Sequence, residues 1–208
     1  MILSVAYSLR GLERSFSKDQ IVCYDGDQPH HVYFVLEGHV KYYDIDKEGN
    51  EKVLHINGPR NGFPMIFAFG VEKQVRGFYS CIDKTRLLKV TMDDFHKVVK
   101  TNIEFTNMML VWFLVEIQEL SFRLNGQERT DARYKVLFAL KNLSRYYGKA
   151  DGGWMAIDFP VTRQFMAEYT GLARETVSIA MTELEKEKII KPSKGRTLEV
   201  KLSALPPN

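Results

Sequence analysis

The sequence predicts an α+β protein in three parts: an all-β domain, a long helix, and a small helical domain that ends in a hairpin. Three observations point there. From about Ile21 to Val90, short apolar runs alternate with turn signals such as YDGDQPH, DKEGNE and NGPRNGFP, the texture of antiparallel strands in a sandwich or barrel. From about Asp94 to Leu124 there is no Gly or Pro, and apolar residues wrap most of a helix. From Arg129 onward there are 14 Lys+Arg against 9 Asp+Glu, net +5, while the preceding part has 15 against 17, net −2, which together give the chain's +3.

The elements follow in order. HVYFVLEGHVKYYDI and EKVLHI read as strands, and Asp46-Lys47-Glu48-Gly49-Asn50 as a hairpin tip where Gly49 takes positive φ at no steric cost. In the helix, Phe105, Met108, Met109, Trp112, Phe113, Val115, Ile117, Leu120 and Leu124 form more than one stripe. A helix apolar on two sides buries both, one on the β-domain and the other on a second protein surface, which an identical chain supplies through a twofold contact. Met108, Trp112, Val115 and Leu120 are the candidate dimer residues. Asn125-Gly126 reads as a helix stop and hinge. A helix capped by Thr130 or Asp131 then runs to Tyr147, and a loop with one short strand leads to Thr162, the cap of another helix, RQFMAEYT. Gly171 breaks that helix, ARETVSIAMTELEKEKII follows, and the tail reads as two strands around Lys194-Gly195. The expected boundaries are 1–93, 94–125 and 126–208.

Bulk properties limit the function. With 208 residues, 45% apolar and 26% charged, the composition is that of a globular protein. The start lacks a signal-peptide pattern, and MMLVWFLVEIQEL is broken by Glu116, Gln118 and Glu119 well short of the roughly 20 apolar residues of a span. The expectation is a cytoplasmic protein with no membrane partner. Two cysteines, Cys23 and Cys81, cannot ligate an iron–sulfur cluster by themselves and read as core thiols.

Two short helices joined at a Gly, followed by a small hairpin, outline a winged helix-turn-helix. Phe165, Met166, Tyr169 and Leu172, then Val177, Ala180, Met181 and Leu184, supply its inward faces and leave the start of the second helix outside. That end enters the major groove in such modules. Arg174 can donate two bonds to guanine, and the Glu175 carboxylate can accept from cytosine N4. Ordinary helix-start chemistry also explains an acid there, but Arg174 opposes the same dipole. Thr162, Arg163 and Gln164 at the first helix start, with Lys194 and Arg196 at the wing, are candidate phosphate contacts.

On VTRQFMAEYTGLARETVS, HVYFVLEGHVKYYDIDKEGNEKVL and the NGQERTDAR hinge, nearly the whole chain resembles the Crp/Fnr family of bacterial transcription regulators. The resemblance implies a jelly-roll sensor domain, a dimerising helix, and a winged helix that binds a palindromic duplex when an effector spaces the two readers, with RNA polymerase as a further partner. Thr162, Arg163 and Gln164 match the family's phosphate-contacting TRQ, and Arg174 and Glu175 its base readers. Ser178 matches the serine of the Fnr-like ExxSR variant, but the second base-reading arginine falls on Ile179, whose apolar side chain suits a thymine methyl. The effector region aligns at Gly62, Phe63 and Met65, with Lys73 and Arg76 as anion-holding candidates. The ribose-binding Glu of the cyclic-AMP members is Phe63 and their Arg-Ser pair is missing, which argues against cyclic AMP. The family's iron–sulfur ligands are missing too. Among His30, His31, His39, His55 and His96 nothing singles out a haem ligand, so the effector is an unidentified small molecule or redox signal.

Two other readings compete. Jelly rolls also house metal-dependent enzymes, whose sites typically need an HxH pair with a following Glu and a later His. Here His30 and His31 are adjacent, so on a strand they point to opposite faces. The other is a regulator-like protein whose DNA reading has decayed, with Ile179 as its sign and the retained Arg174 and Glu175 against it.

Overall fold

The computed structural model describes residues 11–59, 61–127, 131–193 and 197–204. Among the described residues, eight strands make the first part: β1 (Gly11–Phe16), β2 (Ile21–Cys23), β3 (His31–Glu37), β4 (Val40–Ile45), β5 (Glu51–Asn57), β6 (Gly62–Phe63), β7 (Phe78–Cys81) and β8 (Thr85–Thr91). They form two antiparallel sheets in the orders β1-β8-β3-β6 and β2-β7-β4-β5, which is the jelly-roll connection. β3 reads as an almost unbroken apolar run because both its faces are covered. Val32, Phe34 and Leu36 join one core cluster, which includes helix residues, while Val35 joins Leu87, Val40 and Cys81 in the other. The turn at Asp46–Asn50 forms as expected, with Gly49 at φ 85° and the Asp46 carboxylate accepting from the Glu48 and Asn50 amides.

A four-residue helix, α1 (Met65–Ala68), follows β6, and α2 (Met92–Thr101) follows β8 with Thr91 as its cap. The expected single helix is in fact two. Asn102 leaves helical geometry at φ −117° and ψ 93°, and its side chain accepts from the Phe105 amide, so a new helix, α3 (Ile103–Gln127), starts there. An Asn that caps its own successor breaks a helix without Gly or Pro. In the other direction, α3 continues through Asn125-Gly126, where a stop was expected. No single helix among the described residues is long and apolar enough to cross a membrane.

The inward face of α3 carries Phe105, Met108 and Met109 into the cluster of Phe34 and Phe95, and Trp112 and Phe113 pack on it. Met108 and Trp112 therefore belong to the β-domain's core side and not to the outward face where a partner was expected. The outward face holds Ile103, Leu110, Leu114, Ile117 and Leu124, all exposed and spaced by sevens, or by four and three, with Val111, Val115 and Leu120 beside them. That spacing is a coiled-coil seam.

The chain divides into two compact units, Met1–Val115 and Glu116–Asn208. The second contains α4 (Ala132–Tyr147), β9 (Gly148–Asp151), β10 (Trp154–Ile157), α5 (Arg163–Thr170), α6 (Arg174–Lys186), β11 (Ile190–Pro192) and β12 (Leu198–Lys201). Asp131 caps α4, while Thr130 lies outside the described residues. One sheet has the order β11-β12-β10-β9, so the expected loop with one strand is a hairpin, turned at Gly152 and Gly153 with φ 52° and 88°.

Glu119 on α3 is buried, and burial pushes its carboxyl up to about 7, with Glu116 adding to the rise and Arg123 opposing it. A raised folded-state pKa contributes stability that is complete below the unfolded value of 4.5 and is lost as pH rises through about 7. The whole effect is on the order of 3 kcal/mol. Glu119→Gln should flatten stability between pH 5 and 8 and raise the melting temperature most at pH 8, measured by thermal unfolding monitored by circular dichroism at both pH values.

Candidate nucleic-acid interface

The helix pair α5–α6 is built by local chemistry. Thr162 Oγ1 accepts from the Phe165 amide at 3.1 Å to start α5, and Gly171, at φ 70° and ψ 20°, ends it in the left-handed region that glycine enters freely. Phe165, Met166 and Tyr169 on α5, and Val177, Ala180, Met181 and Leu184 on α6, are buried. The α6 set follows i, i+3, i+4, i+7, so the opposite face is fixed outward.

On that outward side stand Glu175 and Ile179, one turn apart and both exposed, with Arg174 exposed at the first helical position and Ser178 partly exposed beside them. Ile179 is 64% accessible, far more than an isoleucine gains by packing at home. Among the described residues neither Arg174 nor Glu175 makes an ion pair, so both are available to a ligand. The cap of α6 is Ala173, which offers no side-chain bond, and the first amides of α6 are left for an external acceptor. Arg174 next to those amides opposes the helix dipole. Both features weaken the helix start, and both suit an anion lying across it.

The backbone-contact candidates are not equivalent. Gln164 is exposed and donates to Glu168 Oε1 at 3.0 Å. Arg163 is half-buried: its Nη2 lies 3.4 Å from Glu185 Oε1 and 3.5 Å from Thr182 Oγ1, and its Nε is buried without a partner. Arg163 therefore ties the start of α5 to the second half of α6, a role the sequence reading missed. The i, i+4, i+7 recurrence of Ser178, Thr182 and Glu185 on α6 hinted at a polar flank. Lys194 and Arg196 lie outside the described residues.

The effector candidates separate. Gly62, Phe63 and Met65 are buried in the jelly roll, whereas Lys73 and Arg76 are exposed, with Arg76 3.8 Å from Glu72. Phe63 is fully enclosed, stacked on Tyr33 at 5.5 Å and on Tyr79 at 4.8 Å, and Tyr79 stacks in turn on Tyr42 at 4.8 Å. A Cβ on Gly62 would come within 2.2 Å of the Met65 methyl. Among the described residues, Gly62, Phe63 and Met65 thus lie in the aromatic interior of the β-domain, and Lys73 and Arg76 on its surface. Both thiols are buried; burial pushes Cys23 up to about 12, with Asp27 adding to it, and Cys81 to about 11. Such thiols are almost wholly protonated at neutral pH and react slowly with oxidants. His39 pairs with Asp83 at 2.9 Å, and His96 Nε2 donates to the Ala68 carbonyl at 2.7 Å.

Residues 13–102 match the cyclic nucleotide-binding domain, and residues 135–205 match the Crp-like helix-turn-helix domain. The chain belongs to the Crp/Fnr family of transcription regulators. It is similar to the global nitrogen regulator of Nostoc sp., 24% identical over 178 residues, 85% of this chain and 79% of that protein. It is also similar to the regulatory protein HlyX of Actinobacillus pleuropneumoniae, 25% identical over 182 residues, 86% of this chain and 73% of that one. Among solved structures, FixK2 from Bradyrhizobium japonicum superimposes with a TM-score of 0.78 at 22% identity, covering 96% of this chain and 99% of that chain.

A capping side chain at Ala173 would restore one of the open bonds of α6. Ala173→Ser should stabilise the protein by about 1 kcal/mol. Urea unfolding of the two proteins measures this, and an unchanged midpoint would show that the helix start is already satisfied.

Proposed function

We propose that this Crp/Fnr protein is a homodimeric, sequence-specific regulator that reads a palindromic DNA site with the start of α6. The observation that carries the reading is the outward group of Arg174, Glu175, Ser178 and Ile179 on a helix whose other face is locked into the domain. Arg174 supplies a bidentate donor for guanine and Glu175 an acceptor for cytosine N4 on a neighbouring pair. Ile179, exposed one turn further along, supplies an apolar contact for a thymine methyl, so the half-site differs from one read by a second arginine. The open amides of α6 and the Thr162–Gln164 turn hold phosphates, as does the wing with Lys194 and Arg196.

Two copies pair through the exposed seam of α3, which supports half-sites about one helical turn apart. The family resemblance adds RNA polymerase as the partner through which occupancy is converted into transcription, in the cytoplasm and without catalysis by this chain. The effector is not cyclic AMP: Phe63 presents a ring face where a ribose hydroxyl needs an acceptor, and Tyr33 and Tyr79 occupy the space beside it.

Selection of duplexes from random DNA by the purified dimer, with cell extract as a source of effector, should enrich an inverted repeat. Binding should weaken steeply with salt. Arg174→Ala should relax preference at one position in each half-site at a cost of about 1–3 kcal/mol there. Arg163→Ala should weaken all duplexes alike, since Arg163 supports α6 and the backbone and touches no base. Equal, sequence-independent losses from both would show that Arg174 reads nothing.

A further inference from the structure

Rings pack around Phe63 inside the jelly roll, and the same domain has an open cleft on its surface. It lies between the end of α1 and one face of α2, and its volume is about 340 Å³. Phe67 and Phe69 form one wall. Met92, His96, Val99 and Lys100 form the other, at i, i+4, i+7 and i+8 on α2, so all four share one face. The cleft is preformed, because the His96 Nε2 bond to the Ala68 carbonyl and the edge-to-face contact of Phe69 with Phe95 hold the two walls at a fixed spacing. Ile66 and Val71, exposed on the same turn as Phe69, extend the apolar surface.

Polarity in the cleft runs one way. Met92 and the phenyl rings are apolar, and the Lys100 ammonium stands at the other end, exposed and in no ion pair among the described residues. About 12 Å of helix separates the two ends. The volume falls within the range of small-molecule sites, which are mostly apolar with a few polar groups to fix orientation. Lys100 also stands two residues before Asn102, where α2 gives way to α3. A ligand seated here touches the helix that feeds the seam.

We propose that the cleft between α1 and α2 binds a free amphipathic carboxylate with an apolar body of medium length, its head on Lys100 and its body along Met92, Phe67 and Phe69, and that this is the effector site. The effector role rests on the regulator reading above; the binding does not. A molecule of this class needs no acceptor inside the barrel and so avoids the ring stack entirely.

Decanoate is a suitable probe, titrated calorimetrically into the full chain without DNA. Saturable binding is expected, with decanol weaker by about fivefold because it lacks the charge. Lys100→Met should cause a similar loss for decanoate and none for decanol, while Val99→Trp fills the cleft and abolishes both. Circular dichroism checks that Val99→Trp is folded, and the Met92 methyl resonance should shift on binding in the unmodified chain. No saturable binding, or binding that neither substitution alters with no Met92 shift, overturns the site. If decanoate binds as expected but leaves affinity for the selected duplex unchanged, the effector role is overturned. If the chain selects no duplex while decanoate still binds at Lys100, the regulator reading fails and the cleft stands.

Discussion

Everything in this chain depends on α3 being apolar on two sides. Its inward face, with Phe105, Met108 and Met109, completes the core built on Phe34 and Phe95, and each large side chain buried there is worth about 1.5–3 kcal/mol. Its outward face presents Leu110, Leu114, Ile117 and Leu124 as an apolar stripe, exposed among the described residues and suited to a second protein surface. A self-complementary cover gives a twofold axis, and a twofold axis is what turns one reading helix into a reader of inverted repeats. The proposed assembly and the proposed function therefore share one physical cause.

Much of this was legible in the sequence, where local chemistry decides. Thr162, Gly171 and the spacing Val177, Ala180, Met181, Leu184 mark the helix pair, because caps, a left-handed glycine and a 3.6 period are short-range signals. The jelly roll was legible as strands and turns from DKEGNE and its neighbours, while the pairing order came only with the fold, since it joins residues such as Gly11 and Val90 that are far apart in the chain. The misses have the same origin. Asn102 breaks a run without Gly or Pro by capping the next helix, and Asn125-Gly126 sits inside a helix despite its composition. Met108 and Trp112 could not be assigned to a face until the β-domain showed which side it covers, and the tie from Arg163 to Glu185 was hidden because the two are 22 residues apart.

The interior of the β-domain is organised around the ring of Phe63. A carboxylate at the Phe63 position would be stranded between Tyr33 and Tyr79, whereas the ring packs between them. The thiols that remain inside, Cys23 and Cys81, are held protonated by burial and are poorly placed as rapid redox switches. The proposed ligand cleft lies on the surface instead, between α1 and α2. In the second unit Ile179 is exposed and adds little to the packing, which is why a base contact is proposed for it.

The central claim is that the α3 seam pairs two copies and thereby creates the DNA reader. Sedimentation equilibrium of the full chain beside a Leu114→Asp variant tests it most directly, since Leu114 sits mid-seam and outside the core cluster. The account predicts a dimer for the unmodified chain and a folded monomer for the variant, with its affinity for an inverted repeat reduced to that for a single half-site. A variant that remains dimeric, or an unmodified chain that is monomeric at micromolar concentration, would contradict it.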